Sequence, residues 1–175
     1  MKFKLAILVA ALTLGSTAFA ADKKQSISVF GNITIPEDGG NQGTVFLSFG
    51  HLFGDSWEFE GSIAQTYSSA GGSDITFSTL GIGGKYYFKP VGGAGKVLPY
   101  AKVGLSASRS NAPSPDYSSY LGGGGIEFAM NESASTFIEA VYSKDKYDTM
   151  RSGNITIGGN TTSSIVFNVG VKLRF

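Results

Sequence analysis

Alternation constrains this chain more than any other feature. Between Gln25 and Phe175, run after run places apolar residues at every second position with polar or small residues between them. The alternating runs are separated by clusters of Gly, Ser, Asn, Asp and Pro, the pattern of β-strands with two unlike faces joined by turns. The last run is the clearest. Ile165, Phe167, Val169, Val171, Leu173 and Phe175 lie on one face, opposite Val166, Asn168, Gly170, Lys172 and Arg174. Eight runs can be drawn: Gln25–Ile35, Thr44–Phe53, Trp57–Tyr67, Ile75–Phe88, Pro99–Ser108, Ser119–Phe128, Ser135–Ser143 and Ser164–Phe175. They are 9–14 residues long, whereas strands of ordinary domains peak at about 5–6. A tilted strand needs about 9–11 residues to cross a bilayer, so the lengths point to a membrane.

The connections alternate in length as well. Gly54–Ser56 and Ala129–Ala134 are short, and Lys89–Leu98 is somewhat longer. Between them fall Pro36–Gly43, Ser68–Asp74, Arg109–Ser118 and Lys144–Ser163, polar and mostly longer. Barrels of the bacterial outer membrane have short periplasmic turns and longer external loops. With eight strands, both termini fall on the periplasmic side.

A soluble barrel of the lipocalin kind would alternate in the same way, with its apolar face turned inward around a ligand. Charge decides between the two. The polar face carries Glu58, Glu60, Glu127 and Glu139 against Lys85, Lys102, Lys172 and Arg174, four acids to four bases. A narrow closed lumen demands such balance, because an unpaired charge inside it costs several kcal/mol. The apolar face carries almost no charge along its centre, as hydrocarbon contact requires: Lys or Arg at the midplane costs about 2–4 kcal/mol. The seventh run fits least well, since Phe137 and Val141 share the parity of Glu139. In lipid every backbone N–H and C=O must be paired within the protein, so the last strand must pair with the first. The expected fold is all-β, an eight-stranded antiparallel up-and-down transmembrane β-barrel spanning residues 21–175. Its interior is just wide enough for side chains, and the eight charged residues are expected to form a packed ionic network. A water-filled pore is the alternative.

Aromatic residues gather at the ends of the runs. Phe49, Phe53, Trp57, Phe59, Phe88, Phe128 and Phe175 lie near the short connections, and Tyr67, Tyr120 and Tyr142 lie toward the long ones. Two girdles mark the two membrane interfaces, with Phe53, Trp57, Phe88 and Phe128 expected at the periplasmic one. Gly122–Gly125 suits strong curvature and close packing in a small barrel; a flexible loop is the other reading of that run.

The first twenty residues read as an address. Lys2 and Lys4 precede the apolar run Leu5–Leu14, and Ala18-Phe19-Ala20 supplies small residues for a signal peptidase, so residues 1–20 are expected to be a signal peptide cleaved after Ala20. The remaining 155 residues carry 12 basic and 13 acidic groups, which gives no basic field for nucleic acid. The absence of Cys excludes disulfides, thiolate metal sites and a cysteine nucleophile.

Residues suited to chemistry are few. The one His, His51, shares the outward parity of Val45, Leu47 and Phe49, whereas Ser48 lies three residues away and so on the opposite face. A serine nucleophile and its base must meet. Lys144-Asp145-Lys146-Tyr147-Asp148 interrupts its acids with cations and does not match a calcium loop. No catalytic, cofactor-binding or metal-binding residue is assigned. The loops Arg109–Ser118 and Lys144–Ser163, rich in Ser, Gly, Asn and Tyr, suit adaptable contacts with an extracellular ligand. Within the second, a variable loop that shields the barrel is the favoured reading, because an exposed edge is normally blunted. The alternative is that Ile155-Thr156-Ile157 extends the seventh and eighth strands as a hairpin whose edge would accept a partner strand.

The ending Val169-Gly170-Val171-Lys172-Leu173-Arg174-Phe175 resembles the C-terminal signature of bacterial outer-membrane proteins. Gly50-His51-Leu52-Phe53-Gly54-Asp55-Ser56-Trp57 and Gly83-Gly84-Lys85-Tyr86-Tyr87-Phe88 resemble segments of the eight-stranded OmpX/Ail and OmpA membrane-domain group. That resemblance implies that Val169, Val171, Leu173 and Phe175 form the signal read by the outer-membrane assembly machinery, with periplasmic chaperones as transient partners. It also implies a setting of outer-membrane lipid and lipopolysaccharide. The deacylases among such barrels use a His and a Ser two residues apart; here Phe53 stands two residues after His51. The expected role is structural and surface-interacting, contributing to envelope integrity and to adhesion through the loops. A narrow porin-like passive channel is the second reading, and a lipid A-modifying enzyme the third.

Overall fold

The structure is a computed structural model and describes residues 23–34, 41–70, 73–91, 97–111, 115–152, 155–157 and 159–175. The expected signal peptide, Ile35 and parts of several connections lie outside the described residues. Among the described residues ten strands are formed: β1 (Gln25–Thr34), β2 (Asn41–Phe53), β3 (Trp57–Ala70), β4 (Ser73–Tyr87), β5 (Val97–Ser110), β6 (Tyr117–Ala129), β7 (Ala134–Tyr147), β8 (Met150–Ser152), β9 (Ile155–Ile157) and β10 (Thr161–Arg174). Eight of them close into a barrel in the order β1-β10-β7-β6-β5-β4-β3-β2, while β8 and β9 pair only with each other.

Every barrel pair is antiparallel, and neighbours in sequence are neighbours in space. The seam joins the two ends of the chain: Val29 faces Val171 and Ile27 faces Leu173. At its end Gln25 N donates to Phe175 O at 3.1 Å, and Phe175 N donates to Gln25 O at 3.0 Å. Closure leaves no barrel strand with an open edge, which removes the unpaired backbone groups that lipid would not tolerate. Gly122–Gly125 lies wholly inside β6 and pairs on both sides, with β5 and with β7. It is strand, not loop.

Short turns join the strands at one end. In the β2–β3 turn Gly54 has φ 61°, a left-handed conformation that glycine adopts without Cβ strain. In the β6–β7 turn the Asn131 side-chain oxygen accepts from the backbone N–H of Ser133 and of Ala134, both at 2.8 Å, as an Asx turn does.

Side chains follow the strand period. Leu80 and Ile82 are each 68% exposed and Phe167 is 67% exposed on the outer surface. Within β7, Phe137, Glu139 and Val141 are all buried in the interior. The shared parity that fitted poorly is thus real, and it places apolar side chains beside the charged ones.

The strands outrun the sequence expectation at the end opposite the short turns. β5 continues to Ser110 and β6 begins at Tyr117, so the Arg109–Ser118 loop is shorter than expected. β7 reaches Tyr147 and β10 starts at Thr161, where Thr161 faces Lys146 and Ser163 faces Lys144. Backbone ladders need no apolar side chains, so they continue past the point where hydrophobic alternation fades. Ile155–Ile157 pairs with Met150–Ser152 as a separate hairpin rather than lengthening β7 and β10.

Candidate functional site: the barrel interior

Inward parity on β3–β7 and β10 brings the eight predicted charges into the lumen, where they form two tiers. The lower tier, near the short turns, centres on Lys172. Its ammonium lies 2.6 Å from Glu58 Oε2 and 3.6 Å from Glu127 Oε2. It also donates to the Tyr87 hydroxyl at 2.7 Å. That hydroxyl sits 2.6 Å from Glu58 Oε2 and 3.0 Å from Glu127 Oε2, so its one proton serves two carboxylates. Glu127 is further held by Arg174 and by Ser135 Oγ at 2.7 Å. Ser26 Oγ donates to Glu58 Oε1 at 2.5 Å.

The upper tier joins Lys85, Glu60, Lys102 and Glu139. Lys85 Nζ meets Glu60 Oε1 at 2.7 Å, and Lys102 Nζ bridges Glu60 at 3.8 Å and Glu139 at 3.1 Å. Glu139 also accepts from Tyr100 Oη at 2.9 Å and from Asn168 Nδ2 at 3.0 Å. Lys85 lies 5.0 Å from the centre of the Tyr100 ring and 5.1 Å from that of Phe137, within reach of a cation–π attraction. Lys172 and Glu127 are 0% exposed and Lys85 is 1% exposed. Buried charges persist only when paired and hydrogen-bonded, and in each tier the partners are supplied by several strands, some adjacent and some far apart in sequence.

Several members escaped the sequence reading. Tyr87 and Tyr100 are buried at the heart of the two tiers, and Ser26, Ser135 and Asn168 complete the carboxylate bonds. Parity was the available signal: Tyr87 is two residues from Lys85, and Tyr100 two from Lys102. Phe30 stacks on Phe46 with ring centres 4.6 Å apart and meets Phe137 edge-on at 5.6 Å, an apolar layer beside the upper tier. Some glycines clear space for these groups. A Cβ at Gly125 would lie 2.6 Å from the Tyr100 hydroxyl, and one at Gly170 would lie 2.7 Å from Phe137 Cζ.

The expected interfacial aromatics lie outside, around the short-turn end. Phe53, Trp57, Phe88 and Phe128 are all exposed. Phe53 contacts Phe59 at 5.3 Å and His51 at 4.6 Å, while Tyr86 bridges Trp57 at 4.9 Å and Phe88 at 5.3 Å. Phe59 and Tyr86 thus belong to the same belt. His51 is exposed on this outer face, whereas Ser48 is buried in the lumen; the wall of the barrel separates them. Val169 and Val171 are exposed on the outer surface of β10, with Leu173 and Phe175 half-buried beside the seam. Lys23, just before β1, bonds through Nζ to Oε2 of Glu132 in the β6–β7 turn at 2.6 Å, which holds the Glu132 carboxyl below the usual carboxylate range.

The sequence matches the outer membrane protein beta-barrel domain over residues 6–175. No curated protein matches it. In fold the chain is similar to Neisserial surface protein A (NspA), with a TM-score of 0.58 at 16% identity, covering 86% of this chain and 95% of that one. It is similar to the outer membrane protein OprG from Pseudomonas aeruginosa, with a TM-score of 0.56 at 17% identity over 86% and 94% of the two chains. A de novo designed transmembrane β-barrel aligns with a TM-score of 0.50 at 12% identity over 90% of this chain and 100% of that one.

Proposed function

From the premise that this chain belongs to the outer membrane protein β-barrel domain family, we propose that it is a structural and surface-interacting protein of the bacterial outer membrane. It would stabilise the envelope and present its longer loops to the exterior. One observation carries this reading. The lumen beside the short turns is filled by a charge-balanced network in which Lys172, Glu127, Lys85 and Glu139 are essentially inaccessible. A barrel plugged in this way acts through its walls and rims rather than through its bore.

The same proposal includes removal of residues 1–20 as a signal peptide, periplasmic termini, and an assembly signal of Val169, Val171, Leu173 and Phe175 read by the outer-membrane assembly machinery with periplasmic chaperones. It takes Phe53, Trp57, Phe88 and Phe128 as periplasmic interface anchors, and lipopolysaccharide as the surrounding outer leaflet. The reading contains no enzymatic step, cofactor or metal. Planar-bilayer recording tests it: the refolded protein is expected to show no stable large conductance. Sustained open channels would favour instead a narrow passive pore, for which the open cavity above the upper tier speaks. Lipid A mass spectra from cells with and without the protein are expected to be identical. A difference abolished by His51→Ala would overturn the non-enzymatic reading.

A further inference from the structure

The bore is not filled along its whole length. Above the upper tier, toward the longer connections, it opens into a cavity of about 320 Å³, within the size range of small-molecule sites. Glu60, Lys102, Glu139, Phe30, Phe46 and Ser48 line its closed end. Its walls carry hydroxyls, among them Thr44, Ser62, Thr66, Thr79, Ser108 and Ser119. Thr44 bonds Thr66 at 2.9 Å, a pair that uses one hydroxyl proton and leaves the other, with spare lone pairs, for a guest. Thr79 bonds Ser108 at 2.7 Å, and both also meet the Tyr117 hydroxyl, an arrangement that keeps spare lone pairs on the three oxygens.

Two cross-strand neighbours, Ser28 and Ser48, each have a buried Oγ with no hydrogen bond within the protein, and of the two Ser48 lines the cavity. Buried hydroxyls are ordinarily bonded. Charge narrows the class of guest: Lys102 is already neutralised between Glu60 and Glu139, and the further lining charge, Asp145, is a carboxylate that accepts from Ser143 Oγ, so the lining offers no free cation for an anionic guest. Aromatic rings supply the remaining surface. Phe30 and Phe46 lie stacked at the floor, with an interplanar angle of 2°. Tyr117 lines the cavity and packs against Phe77 at 5.5 Å and Tyr147 at 5.1 Å.

We propose that this blind cup binds a neutral hexose unit. A sugar ring has many hydroxyls, no charge and one face of C–H bonds, which fits hydroxylated walls and aromatic platforms together. The unit is either a free sugar or the end of a lipopolysaccharide oligosaccharide. The inference needs the cup, not any particular role of the whole protein, and loss of the plug reading through conductance would leave it standing.

The test is a chemical-shift titration of the full barrel refolded in micelles, with D-glucose, D-galactose and lipid-free lipopolysaccharide core oligosaccharide as probes. Saturable shifts at Ser48, Thr79 and Ser119 are expected at millimolar probe. Affinity is expected to fall about two- to tenfold in Ser48→Val and in Thr79→Val, the loss of one hydrogen bond. Ser118→Ala, on the outer face, is expected to leave it unchanged. Response to free hexoses identifies a soluble sugar, and response to the oligosaccharide alone identifies the lipopolysaccharide end. No saturable shift with any of the three probes, or affinities unaltered by the cup variants, overturns the proposal. Should Ser48→Val fail to refold, Thr79→Val carries the comparison.

Discussion

A lysine in a barrel interior is tolerable only while its carboxylates stay in place. Lys172 is enclosed by Glu58, Glu127 and Tyr87 with nothing exposed to solvent. Replacing it by Met leaves two buried carboxylates short of a cation, and breaking one partner of a buried pair typically costs about 3–5 kcal/mol. Lys172→Met is therefore expected to lower the unfolding free energy in vesicles by that order, and adding Glu58→Gln should restore part of it. Gly125 poses a steric version of the same problem. Gly125→Ala pushes a methyl against the Tyr100 hydroxyl and the Ile138 carbonyl, an overpacking cost of about 1–3 kcal/mol. Tyr100→Phe in the same chain should relieve some of it, measured by urea unfolding. The exposed Lys23–Glu132 pair behaves differently. The carboxyl is held low by its partner, so whatever it contributes is present above the unfolded-state pKa and fades as pH falls through the folded one. Exposed pairs contribute little, and Lys23→Ala is expected to leave the unfolding midpoint unchanged at neutral pH.

At the level of strands, each residue belongs to one of two solvents. β10 presents Ile165, Phe167, Val169 and Val171 outward while holding Asn168 and Lys172 inward. Phe167→Arg is expected to destabilise the vesicle-embedded barrel by about 2–4 kcal/mol, the depth-dependent penalty for a cation on the lipid face. Tyr142→Arg, nearer the rim, should cost clearly less, and equal costs would contradict the assignment of the outer face. Alternation revealed the two faces of these strands and the parity of every charge in the network. It did not reveal where the strands end, because residues such as Thr161–Ser164 carry no apolar signal while their backbones continue to pair.

For the whole molecule, closure decides what the parts can do. Eight strands bring residues from β3 to β10 within hydrogen-bond distance across a narrow bore, and the two tiers then seal one half while the other remains a cup. If the seal governs permeation, Lys102→Ala combined with Glu139→Ala should convert a silent protein into a conducting one in planar bilayers. Silence in both forms would mean that the lower tier suffices.

The sequence by itself determined the barrel, its strand count, its lipid-facing side and the eight charges of its interior. A period of two and a one-to-one charge balance are properties of order along a chain. The pairing within that set was decided only by the tertiary structure, along with Tyr87 and Tyr100 as its hydroxyl bridges, the Phe30–Phe46–Phe137 layer and the cup above them. Those features depend on strand stagger and on which residues face one another across the bore, distances that no one-dimensional pattern contains.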